Sequence, residues 1–244
     1  MQIKAHVNQV GDIRAPEVSF QEMLDNTEEN EVRCAHPETA EEMREAIDEY
    51  QQEGDSIGGS VYFECRGVPR GLGAPRFDSF AARLGRAMFA IPATSGFQFG
   101  AGRETRTMRG SERNEDWAFD DGDRPEIESD EGDPVPVGND HGGLQGGITT
   151  GQPIYGEATW HAPTSIPKQQ TTADWETGER KDIQVVGRHD PVLMPRAVPV
   201  VEAMLHLTVL DFMLLAGRIN PDRLDGDVGE YDTDYHPRSP DNME

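Results

Sequence analysis

The run from Ala197 to Ala216 constrains this chain more than any other stretch, because it is the longest apolar segment. Glu202, His206 and Asp211 break it, so it reads as a buried core helix and falls short of an uninterrupted membrane span. Directly before it stands G-R-H-D-P-V-L-M-P-R, Gly187 to Arg196. That order pins a charged group, through a proline turn, to the head of a buried helix. Two arginines near one helix start, Arg188 and Arg196, suit a polyanionic ligand. An ion pair that merely caps the helix would leave the same residues. His189 and Asp190 are adjacent, so their side chains diverge and they cannot form a triad with each other.

Charge adds a second limit. The 244 residues hold 22 Lys and Arg against 46 Asp and Glu, a formal net charge of −24. A field of that sign repels nucleic acid and anionic membranes, and is expected of a protein kept in solution in a salt-rich cytoplasm. The two cysteines, Cys34 and Cys65, lie far apart and outside any C-x-x-C pattern, which argues against a disulfide framework or a zinc knuckle. Met1 to Val10 has no apolar core of a signal peptide.

Strands and helices alternate without a β-α-β rhythm, so the expected class is α+β with antiparallel sheet. Strands are predicted at Ile3 to Val10, Val61 to Gly67, Gly96 to Gly100, Ile154 to Trp160 and Asp182 to Gly187. Ser19 with Glu22 and Thr39 with Glu42 read as capping boxes, and Asp78 as the cap of a helix with Phe80, Leu84, Met88 and Ile91 on one face. Thr171 to Lys181 reads as a polar hairpin or loop. Residues 110–137 read as a mobile acidic insert and 219–244 as a disordered acidic tail, flanking a domain over 1–218.

Several short motifs carry possible chemistry. G-D-S-I-G, Gly54 to Gly58, has the spelling of a nucleophile elbow, but a helix precedes the serine and a strand follows, the reverse of what an elbow needs. N-D-H-G-G-L-Q-G-G-I, Asn139 to Ile148, lets backbone N–H groups approach an anion or a flat ring. No metal partner sits at ligand spacing from His141. A-P-T-S-I, Ala162 to Ile166, offers hydroxyls that can hold phosphate oxygens.

Taken together, R-H-D-P with its E-A-M helix, E-G-D-S-I-G-G, V-P-R-G-L-G-A-P-R-F-D and the glycine cluster resemble the chorismate synthase family over about Val10 to Met213. The resemblance implies an α+β fold of antiparallel sheets packed with helices. It implies a reduced-FMN-dependent anti-1,4-elimination of phosphate from 5-enolpyruvylshikimate 3-phosphate, giving chorismate, in a cytoplasmic homotetramer. Carried over residue by residue, Gly146 contacts flavin, as do Pro163, Thr164 and Ser165. Ala162 and Ile166 stand where the family has a lysine and a hydroxyl residue, so they would contribute through their backbone. Pro92 and Ala93 occupy another flavin-contact position. Arg188 serves flavin and substrate, Asp190 assists proton removal, and Arg196 joins the substrate site. The family's G-E-S-H-G, R-P-G-H-A-D and G-G-G-R-S-S-A-R segments have no counterpart in this sequence. In the family these hold two catalytic histidines, so the expectation is an N-terminally truncated form that lacks turnover. The alternative is an incomplete fragment that binds flavin or joins a tetramer.

Overall fold

A computed structural model describes residues 1–74, 76–119 and 134–219. Its centre is a five-stranded antiparallel sheet in the order β2-β1-β3-β9-β4, built from Gln2–Val10 (β1), Ile13–Arg14 (β2), Gly59–Arg66 (β3), Thr94–Phe99 (β4) and Ile154–Trp160 (β9). Period-two alternation gives the sheet one apolar and one polar face. Ala5, Val7, Val61, Phe63, Cys65, Ile154, Ala158 and Trp160 point into the core. A bulge between Val7 and Gln9 returns Val10 to that same face.

The helix Met194–Leu215 (α5) and the helix Phe80–Phe89 (α3) cover the apolar face. Val198, Val201, Leu205, Val209 and Phe212 form the buried stripe of α5, at the three- and four-residue spacing of a helix face. Each such side chain, fully buried, stabilises the fold by about 2 kcal/mol. Phe212 stacks on Phe80 with ring centroids 5.0 Å apart, which locks the two helices together. Glu202 enters this layer with its charge compensated: it accepts the Ala5 N–H at 2.9 Å and pairs with Lys4 at 3.3 Å. By length and composition α5 does reach the size of a membrane span, with mean hydropathy 1.8, contrary to the sequence expectation. In this fold it is the core helix of the sheet.

The sequence expectations hold with local corrections. The Ser19–Glu22 capping box opens Phe20–Asn26 (α1). The helix Pro37–Gln52 (α2) is capped by His36, not Thr39, because Pro37 fills the first helical position and the His36 ring accepts the Thr39 N–H. Ser79, one residue after Asp78, caps α3 by accepting the Ala82 N–H. The expected strand at 182–187 ends at Ile183: Gln170–Ala173 (β10) and Arg180–Ile183 (β11) form their own hairpin, and the chain then runs irregularly to α5.

The ends of the acidic insert are structured. Gly110–Arg113 forms a short helix (α4), and Trp117–Phe119 (β5) pairs with Pro134–Pro136 (β6). Positions 120–133 of the insert, and 220–244 of the tail, lie outside the described residues. Leu144–Gln145 (β7) and Ile148–Thr149 (β8) make a hairpin whose turn is Gly146-Gly147, at φ +60° and +82°, a conformation in which glycine avoids the steric penalty of a Cβ.

Candidate functional site

The expected site residues fall into two groups, one at each end of β9. The first begins where β9 ends. Gly58 presses so closely on this exit that a Cβ there would lie 2.6 Å from the Trp160 carbonyl oxygen and 3.1 Å from the Ala162 nitrogen. The neighbouring Ser56 hydroxyl donates to the Pro163 carbonyl at 2.5 Å, and Asp55 pairs with Lys168 at 2.5 Å. The Ile57 N–H donates to the Pro191 carbonyl at 2.9 Å. The loop from Asp55 to Gly58 therefore ties the Ala162–Ile166 segment to the Arg188–Pro191 segment. Ser165 Oγ and His189 Nδ1, 3.3 Å apart, make a direct contact between those segments. Pro92 and Ala93 join from α3's far end, through the Trp160 indole N–H to the Pro92 carbonyl (3.2 Å) and the His161 N–H to the Ala93 carbonyl (3.3 Å).

Within this group the two arginines differ. Arg196 donates to Asp190 at 2.5 Å. Arg188 is exposed and has no acidic partner among the described residues. It is the one free to meet an anion. Thr164 and Ser165 are exposed, Pro163 and Ile166 half-buried.

The second group sits where β9 begins. The Asn139 side chain accepts the Gly143 N–H at 2.6 Å and donates to the Pro153 carbonyl at 2.8 Å, folding the glycine cluster onto the strand. The Gly147 carbonyl accepts the Phe80 N–H at 2.8 Å, docking the hairpin on the start of α3. The paired glycines then do different work. A Cβ at Gly147 would strike Ser79 at 2.5 Å, whereas a Cβ at Gly146 meets no atom within 4 Å. Gly147 is needed for packing; Gly146 presents open backbone to whatever approaches the tip.

The seven residues of β9 separate these groups by roughly 20 Å. No described hydrogen bond, ion pair or cavity joins Gly146 to Arg188 or Asp190 within the chain. The polar face of the sheet, by contrast, carries a cavity of about 600 Å³ lined by His6, Tyr62, Glu64, Gln98, Asp140 and Tyr155 among others. His6 is buried there, and its Nδ1 accepts the Ala35 N–H at 3.3 Å. Burial pushes its pKa down to about 4, so the ring is neutral. Burial also raises both core thiols, Cys65 to about 12, which makes them inert packing residues.

Comparison with known proteins gives the family. The family model described as chorismate synthase matches residues 1–214. The chain belongs to the chorismate synthase family. It is 75% identical to the chorismate synthase of Halorubrum lacusprofundi over 99% of this chain and 62% of that protein. It is 70% identical to that of Halobacterium salinarum over 99% of this chain and 61% of that protein. Both relatives come from halophilic hosts, in keeping with the acidic surface. A solved structure titled as a crystal structure of chorismate synthase superposes with a TM-score of 0.68 at 25% identity, covering 87% of this chain and 57% of that one. The chain thus spans about 60% of the length of the curated chorismate synthases it matches.

Sequence reading missed two contributors. The Asp55–Gly58 loop was visible as a motif, but its role depends on contacts with residues more than a hundred positions away. Glu115 lay inside the stretch read as a mobile insert, and is instead a buried carboxylate beneath the glycine cluster. Ser56 is no nucleophile elbow: it lies between α2 and β3, and its hydroxyl proton is committed to a backbone carbonyl.

Proposed function

We propose that this chain serves the chorismate synthase reaction, the reduced-FMN-dependent anti-1,4-elimination of phosphate from 5-enolpyruvylshikimate 3-phosphate. The observation that carries the reading is Arg188, unpaired among the described residues, ahead of the core helix in a chain whose residues 1–214 match the family. Arg188 supplies a forked, permanently charged donor for a phosphate or carboxylate in a protein that is otherwise strongly negative. Arg196 holds Asp190 in place; an anionic ligand competing for Arg196 would release that carboxylate to accept a proton.

The residues present suit a flavin in two respects. Gly146 offers open backbone for a flat ring, and the Pro163–Ser165 segment, clamped by Ser56, offers hydroxyls and backbone for a phosphate tail. When bound, reduced FMN supplies an electron-rich ring beside the departing phosphate. The protein works as a homotetramer in this reading, and the separation of the two groups along β9 suits a site shared between subunits, with Gly146 of one facing Arg188 of another. In the same reading the protein works in the cytoplasm, without nucleic acid or membrane partners. A second reading is flavin binding without turnover, since within one chain no described contact or cavity joins Gly146 to Arg188 or Asp190. Anaerobic titration with reduced FMN, followed by an assay for phosphate and chorismate release, separates the two. Turnover supports the first, saturable binding without product supports the second, and absence of flavin binding defeats both.

A further inference from the structure

The Glu115 side chain is only 4% exposed, although it lies in an acidic, polar stretch. Burying a carboxylate is unfavourable unless donors surround it. Here they do, and most come from the glycine cluster. The His141 N–H donates to Oε1 at 3.3 Å, and the Gln145 amide to Oε2 at 3.4 Å. His141 Nδ1 lies 2.9 Å from Oε2 but makes no hydrogen bond to it. Arg113 adds charge at 3.9 Å. The carboxylate is itself held from behind: the Val137 N–H donates to the Asp116 carbonyl at 2.7 Å, and β5 follows immediately in its pair with β6. Gly138 lies alongside: a Cβ there would rest in ordinary van der Waals contact, 3.4 Å from the Glu115 side chain.

We propose that Glu115 is a positioning residue: it fixes the segment from His141 to Gln145 and thereby sets the Gly146 tip at which flavin is received. Asn139 holds Gly142 and Gly143, the β7–β8 pairing holds the Leu144–Gln145 backbone and α3 holds Gly147; Glu115 adds the contacts to the His141 N–H and the Gln145 side chain, which tie this segment to the chain before β5. The flavin clause rests on the function proposed above; the positioning clause does not.

Two measurements on the full chain keep these apart. Amide hydrogen exchange is compared between wild type, Glu115→Gln and Glu115→Ala without flavin. The expected result is exchange at residues 141–146 at least tenfold faster in Glu115→Ala, intermediate in Glu115→Gln, and unchanged along α5. Equal exchange in this segment for wild type and either folded variant would overturn the positioning role. Reduced-FMN titration is then run on the same proteins, with Glu115→Gln expected to bind at least fivefold more weakly. Affinity equal to wild type in a variant whose cluster exchanges faster would overturn the flavin clause alone. If wild type binds no reduced FMN, the functional reading fails while the exchange result still judges Glu115.

Discussion

Replacing Gly58 with alanine tests whether the Asp55–Gly58 loop is the clamp of the first group. Gly58 lies outside the left-handed region, so alanine incurs no backbone strain and the effect is purely steric. The new Cβ would sit 2.6 Å from the Trp160 carbonyl oxygen, 3.1 Å from the Ala162 nitrogen and 3.3 Å from the His161 carbonyl carbon. All three are backbone atoms, so no side chain can swing away. The chain leaving β9 must move by about half an ångström or more, or the loop must lift and weaken the Ser56–Pro163 and Ile57–Pro191 hydrogen bonds. Overpacking of this kind costs about 1–3 kcal/mol. Loss of one of the two hydrogen bonds adds about 1 kcal/mol. For a chain of this size the sum corresponds to a fall in Tm of roughly 4–8 °C. Gly110→Ala is the control: that position has nothing within 4 Å of its Cβ and no positive φ, so its Tm should stay within about 1 °C of wild type. Thermal unfolding followed by circular dichroism reads both. A Gly58→Ala protein that melts with wild type would refute the clamp.

Further expectations follow from other residues. His6 is neutral in the fold, with its pKa near 4 against an ordinary 6.5, so only the unfolded chain takes up a proton there as pH falls from 6.5 to 4. Stability is lost across that window, by roughly 3 kcal/mol from this group alone. His6→Asn, which can keep an acceptor for the Ala35 N–H, should lose less stability than wild type over the same range in urea titrations. Ser56→Ala should lower stability by about 1 kcal/mol, and wild-type Ser56 should resist a fluorophosphonate probe; labelling at Ser56 would restore a hydrolase reading. Arg188→Gln should leave Tm within about 2 °C of wild type, because the side chain is exposed and unpaired. The same change should weaken reduced FMN or substrate binding about tenfold or more, the worth of one charge-assisted hydrogen bond, as read by titration.

The outline of the fold could be read from local pattern. Alternation in β1, β3 and β9 and the apolar stripe of α5 are each a property of one segment, and burial only confirmed which face turned inward. Two of the errors were local competitions between nearby caps, where Pro37 moved the start of α2 to His36 and Ser79 took over from Asp78; others, such as the strand that stops at Ile183 and the ordered ends of the insert, turned on pairing. The motifs at Arg188–Asp190, Ala162–Ile166 and Gly146 were also legible as strings. Their mutual placement was not, because it is set by strand length and pairing. β9 holds the second group at one end and the first at the other.

What the sequence determined by itself was therefore the main strands and helices, their class, the strong negative charge and the membership of a family. Period and composition act over a few residues, and each of those properties is local or additive. Tertiary structure alone decided that Ser56 clamps Pro163, that Arg196 and not Arg188 is spent on Asp190, and that a carboxylate from the acidic insert lies buried under the glycine cluster. Those outcomes depend on which distant groups compete for the same donor once the chain is folded, and no single segment carries that information.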